Sequence, residues 1–275
     1  MKVVMEGINF GESARWHDGQ IWFADWAAGL VISVASDGTH RVEASVESFP
    51  LCFDFLPDGG LLIVDSSHLQ MLRRERDGSL ILHADLSPIC TKPWNDIVVS
   101  ESGNAYVDNI NFDFPGGEPA PGLIALVTPD GMARQVADDL WFPNGMSITP
   151  DGSTLIVGES YGSRLTAFDI GADGDLSRRR VWAQTGDDHP DGICIDATGA
   201  VWYADVGNKH CVRVSEKGEI LDTVAIDRGA FDCALSRDGE PRLYVVGQNY
   251  GGPGSDDPTG KLFEFPAPAQ GAGRP

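Results

Sequence analysis

Apolar and polar positions alternate in short runs along this chain, and the runs come in pairs around a glycine turn. SARWH, CFDFL, DIVVS, MSITP, ICIDA and CALSR each precede such a turn. QIWFAD, GLLIVD, NAYVDN, STLIVG, AVWYAD and EPRLYVV follow one. Period-two alternation over about five residues marks a half-buried strand. Asp-Gly and its relatives supply the positive φ that a tight hairpin requires. No long stretch carries helical periodicity. Further strand-like runs, such as RLTAFDI and CVRVSE, follow several of the pairs.

The turn glycines are Gly19, Gly59, Gly103, Gly152, Gly199 and Gly239, spaced 40 to 49 residues apart. A unit of that length has room for four short strands, which is what one blade of a β-propeller needs. A lone four-stranded blade cannot bury both faces, but blades stacked in a ring cover one another. The pattern therefore predicts an all-β, six-bladed β-propeller with four antiparallel strands per blade, in one domain over residues 1–265. A β-sandwich, or two small β-domains, fits the regular period less well. The N-terminal KVVM is free to pair with KLFEF and close the ring. Residues 266–275, PAPAQGAGRP, read as a flexible C-terminal tail.

The first strand of each blade should line the central channel. Eight residues before the turn glycines stand Gly11, Leu51, Asn95, Asn144, Asp191 and Phe231, and Glu12 lies one place from the first of these. Glu12, Asn95, Asn144 and Asp191 would then meet near the axis from four blades. Two carboxylates and two amide oxygens are hard donors of the kind that Ca²⁺, Mg²⁺ or Mn²⁺ takes. Asn and Asp also cap the turns that open strands, so the same residues admit a purely structural reading. His189, alone and two residues before Asp191, reads as a loop residue.

Charge and cysteine content narrow the partners. The 275 residues carry a formal net charge of −21, which disfavours nucleic acid and anionic membrane surfaces. Most of that charge is expected on a solvated surface. Five cysteines without C-x-x-C spacing argue against a disulfide framework and a thiolate zinc site. The start lacks the apolar run of a signal peptide, and the expected location is the cytoplasm. Oligomeric state is not legible in the strand pattern.

GESARW, the Asn95-Asp96 pair, FPNGMSITPDG and PDGICIDATGAVWYAD together resemble the SMP-30/gluconolactonase (regucalcin-like) family. The likeness runs over about residues 7 to 265. It implies a divalent-metal lactonase or esterase-type hydrolase on a six-bladed propeller. By motif, the metal ligands would be Glu12, Asn144 and Asp191, and Asp191 would also be the catalytic base. Asn95 would be a substrate contact or a further ligand. The resemblance implies one divalent ion, with Ca²⁺ the leading choice and Mn²⁺, Mg²⁺ or Zn²⁺ the alternatives.

The chain departs from the family at one place. Sugar-lactone members often carry an Arg two residues before the Asn-Asp pair, whereas here Lys92, Pro93 and Trp94 precede Asn95. Lys does not replace a bidentate guanidinium. Trp94, Asn111, Asp113 and Phe114 are the other expected substrate contacts. Phe112, Phe142 and Tyr161 are candidates for an aromatic rim, or for core between blades. The expected substrate is a small-molecule lactone or ester, either a sugar lactone or a less polar one. A phosphotriesterase- or arylesterase-like hydrolase and a non-enzymatic ligand-binding propeller are the alternatives. No G-x-S-x-G elbow is present for a serine nucleophile.

Overall fold

The structure, a computed structural model, describes residues 1–249 and 258–274. Its 24 strands form six four-stranded antiparallel sheets. Five sheets are plain meanders. Their inner strands are Gly11–His17 (blade 1), Leu51–Phe55 (blade 2), Trp94–Val99 (blade 3), Pro143–Ile148 (blade 4) and Pro190–Ile195 (blade 5). Blade 6 takes Gly229–Leu235, Arg242–Gln248 and Gly260–Pro266 from the C-terminal part and Lys2–Ile8 from the N-terminus. Lys2 pairs with Glu264 and Val3 with Phe263, so the two ends close the ring as expected.

The six turn glycines that marked the repeat all lie at positive φ, between 64° and 84°. Six apolar clusters hold the blades, and each is shared by two neighbours. Cys52, Leu62 and Met71 of blade 2, for instance, meet Trp94, Ile97 and Val107 of blade 3. Ile156 and Leu165 of blade 4 meet Ile193 and Tyr203 of blade 5. The core is therefore a ring of interfaces, and the axis is left to polar groups. All five cysteines are free and buried. No helix of the described residues is long and apolar enough to cross a membrane.

The segment expected to be a flexible tail is pinned in place. Ile148 pairs with Arg274 and Asp196 with Gly271. Ala272 N–H donates to Ile195 O (3.0 Å), and Gly271 N–H to Ser236 O (2.8 Å). Arg274 also reaches Phe55 O (3.2 Å) and Glu101 (3.0 Å). These are the lower ends of inner strands and the turns after them, so the tail crosses beneath the channel. Residue 275 lies outside the described residues.

Candidate active site

Each site-bearing inner strand is bulged where its polar residue stands. Register breaks fall between Glu12 and Arg15, Trp94 and Ile97, Pro143 and Met146, and Pro190 and Ile193. Blade 2 pairs without interruption over Leu51–Phe55 and contributes no predicted ligand. A bulge breaks the alternation of side chains and re-aims them. Here it lets two consecutive residues, Asn95 and Asp96, border the same axial void.

The last residue of the second strand fixes the chain entering each of these four blades. Asp25 accepts from Asn9 N–H (2.9 Å) and Phe10 N–H (3.0 Å). Asn109 donates to Lys92 O (2.7 Å). Glu159 accepts from Trp141 N–H (2.8 Å), and Asp205 from His189 N–H (2.7 Å). All four are at most 3 % exposed. Glu159 is further held by Arg164 (2.8 Å) and Arg179 (3.2 Å). Burial opposes its charge, but the bonds from Arg164, Thr166 and Trp141 bring the carboxyl below its usual range.

Close approach of inner strands explains the glycines of the two matching motifs. A Cβ on Gly145 would lie 2.5 Å from Ile193 N, and one on Gly192 would lie 1.8 Å from Asp232 Oδ1. Blades 4, 5 and 6 meet backbone to backbone there. At other junctions a side chain spans the gap. Ser13 Oγ accepts from Phe53 N–H (3.1 Å), Asp54 from Val99 N–H (2.6 Å), Asp96 from Met146 N–H (3.2 Å), and Asp232 from Ala14 N–H (2.6 Å).

Glu12, Asn95, Asn144 and Asp191 converge on the floor of one cavity of about 280 Å³. Glu12 and Asp191 are buried, at 8 % and 9 % exposure. Asn95 Nδ2 donates to Asn144 Oδ1 (3.2 Å), and Asn144 Nδ2 to Ser160 Oγ (3.4 Å). Beneath lies a void of about 10 Å³ bordered by Glu12, Asn95, Asn144, Asp96 and Asp232. That is about the room of one small sphere such as a water or an ion.

The electrostatics call for a cation. Burial, then the charges of Asp191, Asp232 and Asp96, pushes the Glu12 carboxyl well above its usual range. Burial, then Asp232, Asp205 and Asp96, does the same to Asp191. The guanidinium of Arg15 sits in this channel, reaching Asp96 (2.8 Å), Asp232 (3.5 Å) and Asp54 (4.0 Å). Burial opposes its charge, and Asp96, Asp54 and Asp232 outweigh that to strengthen it. One guanidinium does not balance these carboxylates together with Glu12 and Asp191. The oxygen donors of the cavity floor and the surplus negative charge fit a hard divalent ion.

Three expected substrate contacts lie elsewhere. Trp94 is 0 % exposed and packs into the interface with blade 2, because Pro93 and Asn95 take the cavity side of the bulged strand. Asn111, at φ 61°, turns away and donates to Pro121 O (3.0 Å). Asp113 is exposed and pairs with Lys92 (2.7 Å). Asn95 and Phe114 line the cavity, as do Phe142 and Tyr161. Phe112 is buried behind them, 5.7 Å from Phe142.

Other residues carry no strong sequence signal. His189 lines the cavity with Nδ1 2.8 Å from Ser160 O. A carbonyl only accepts, so Nδ1 carries a proton, and in the neutral ring Nε2 is the acceptor. Asp188, Asp205 and His210 bring their ligand atoms within 4.8 Å of one another. This cluster supports the entry to Asp191, since Asp188 accepts from Tyr203 OH (2.7 Å) and Asn208 (2.7 Å).

The family model described as SMP-30/Gluconolactonase/LRE-like region matches residues 10–249. The L-arabinolactonase of Azospirillum brasilense is 26 % identical over 88 % of this chain and 81 % of its own length. The regucalcin of Danio rerio is 25 % identical over 89 % of this chain and 84 % of its own. A gluconolactonase structure from Xanthomonas campestris superposes with a TM-score of 0.79 at 23 % identity, covering 97 % of this chain and 89 % of that one. At that identity the superposition speaks for the fold.

Proposed function

The chain belongs to the SMP-30/gluconolactonase/LRE-like family, and from that premise we propose that it is a divalent-metal-dependent hydrolase that opens lactone rings. The observation that carries this reading is the convergence of Glu12, Asn95, Asn144 and Asp191 on one cavity floor. Bound by Glu12, Asn144 and Asp191, a divalent ion supplies Lewis acidity toward a carbonyl oxygen; all-oxygen donors favour Ca²⁺ and admit Mn²⁺ or Mg²⁺.

The chain's own groups supply the rest. Asp191, on the cavity floor, takes the proton from the attacking water. Asn95 orients the reacting group by hydrogen bonds. His189 offers Nε2 as a second proton acceptor at the wall. Relatives named as lactonases lend the substrate class.

The test is acid release in a pH-stat, with chelated and then metal-refilled protein, on a lactone panel. Refilling restores turnover, and Asp191→Ala lowers kcat at saturating metal by roughly 10²-fold or more. Activity confined to aryl esters or phosphotriesters would move the assignment, and no turnover with any ion would end it.

A further inference from the structure

Above its carboxylate floor the cavity is walled by aromatic carbon. On one side Phe10 stacks on Trp26, with centroids 5.4 Å apart and planes 10° apart. Phe49 and Phe231 meet Phe10 edge-on at 5.6 and 5.3 Å. On the other side Phe142 lies 5.2 Å from Phe114 and 4.6 Å from Tyr161. The first group comes from blades 1, 2 and 6, and the second from the loops of blades 3 and 4.

The polar side-chain atoms of this wall are few and mostly engaged. Ser160 Oγ donates to Pro190 O (2.7 Å) and accepts from Asn144. His189 Nδ1 is held by Ser160 O (2.8 Å). The Trp26 indole N–H is buried and has no partner. Among the described residues of the wall that leaves the Tyr161 hydroxyl and His189 Nε2. Among the described residues that line the cavity none is Lys or Arg, and Pro93 stands on the wall. Lys92 is paired with Asp113.

We propose that this site takes lactones whose ring bears an aromatic or branched alkyl substituent, in preference to polyhydroxylated sugar lactones. The proposal rests on the lactone-hydrolysis reading above. With the carbonyl at the floor, the substituent lies between the two aromatic groups. Each hydroxyl of a sugar lactone would leave water for a carbon wall, and a missing partner for one buried hydroxyl costs roughly 10-fold or more in affinity. Aryl substituents gain by edge-to-face and stacked contacts with such walls. Phe114 and Tyr161 are 45 % and 47 % exposed, so apolar surface stands open for a substituent to cover. At about 280 Å³ the cavity is near the small end of ligand sites, which suits one ring and one substituent.

The test separates binding from turnover. The full chain, loaded with Ca²⁺, is titrated calorimetrically with two hydrolysis-resistant lactams, 5-phenyl-2-pyrrolidinone and a polyhydroxylated sugar lactam. We expect the phenyl lactam to bind at least 30-fold more tightly, and Phe114→Ala, on an exposed loop, to reduce that binding several-fold. Equal or tighter binding of the polyhydroxylated lactam overturns the proposal. The matching lactones are then compared in the pH-stat, where a 100-fold higher kcat/KM for the phenyl lactone is expected. Faster hydrolysis of the sugar lactone also overturns the proposal but leaves the hydrolase standing. Tight phenyl-lactam binding with no turnover of any lactone sustains the ligand class and removes the hydrolase reading alone.

Discussion

Arg15 Nη2 and Asp96 Oδ1 lie 2.8 Å apart, although blade 2 separates their blades in the ring. The pair spans the axis. Arg15 also donates to Ile97 O (2.7 Å) and to Ala14 O (2.9 Å). A propeller packed only between neighbouring blades would have no such cross-tie. The same guanidinium neutralises part of the acid beneath the cavity floor, so stability and site chemistry share one residue.

Removing that guanidinium leaves Asp54, Asp96 and Asp232 without its charge, held by backbone N–H donors such as Val99, Met146 and Ala14. Breaking a buried ion pair from one side costs about 3–5 kcal/mol. Arg15→Leu is therefore expected to lower unfolding free energy by that amount in urea titrations. A loss under about 1 kcal/mol would show that the three carboxylates find other partners.

Gly192→Ala tests the backbone contact between blades 5 and 6. The added Cβ would meet Asp232 Oδ1 at 1.8 Å and Asp232 Cα at 2.7 Å, so backbone as well as side chain must shift. Overpacking of this kind costs about 1–3 kcal/mol or more. Because the shift moves the strand carrying Asp191, metal affinity should fall with stability. Calorimetric Ca²⁺ titration beside a urea melt reads both, and wild-type values in the two would contradict the close contact.

The repeat was legible because each hairpin needs a glycine at positive φ, and that need recurs with the blade. Glu12, Asn95, Asn144 and Asp191 were legible because polar residues opening inner strands have only the axis to face. Trp94 faces the blade interface because of the bulge between Trp94 and Ile97, which no alternation pattern shows. The role of Arg15 carries no local signal, because it depends on carboxylates some 40 to 220 residues away in sequence. Asp25, Asn109, Glu159 and Asp205 did recur, each at the end of a second strand, but nothing local says that they hold the next entry loop. The tail misled because PAPAQGAGRP has a mobile composition, whereas its order comes from backbone pairing to strand ends.

Glu159 gives a pH signature away from the proposed metal ligands. Its folded pKa is below the unfolded value near 4.5, so its contribution is present above that pH and is lost as pH falls through the lowered folded value. Glu159→Gln should cost about 2–3 kcal/mol at pH 7, a charged hydrogen bond's worth or slightly more. The gap from wild type should narrow below about pH 4.5. A gap that stays constant from pH 7 to pH 3 would assign the loss to packing.

Chelation should destabilise the protein measurably, because Glu12 and Asp191 are then left to repel each other. Ion at 100 times its dissociation constant adds about 2.7 kcal/mol to stability. The expected result is a rise in Tm on adding Ca²⁺ to chelated wild type and little rise in Glu12→Gln. Asp191→Asn should also be more stable than wild type when both are chelated, since one buried charge is gone. Equal Ca²⁺-induced shifts in wild type and both variants would place the ion elsewhere.

Truncation after Ala267 tests whether the terminal segment closes the channel from below. It removes the paired bonds between Ile148 and Arg274, those of Ala197 to Gln270, Gly271 to Ser236 and Ala272 to Ile195, and the reach of Arg274 to Phe55 and Glu101. Each net hydrogen bond contributes about 0.5–1.5 kcal/mol, and ordering the segment offsets part of the sum. A loss of about 2–4 kcal/mol is expected in urea. The more specific expectation concerns access to water. Arg15, Asp54 and Asp232 are 2–3 % exposed, and the tail contacts the lower ends of inner strands in blades 2, 4 and 5. Without it, the amides of Ala14 and Val99, which donate to Asp232 and Asp54, should exchange faster than amides in the blade interfaces. If exchange rises equally everywhere, the tail contributes only to global stability. If Ala14 and Val99 exchange first, it acts as the lower seal that keeps the axial charges dry.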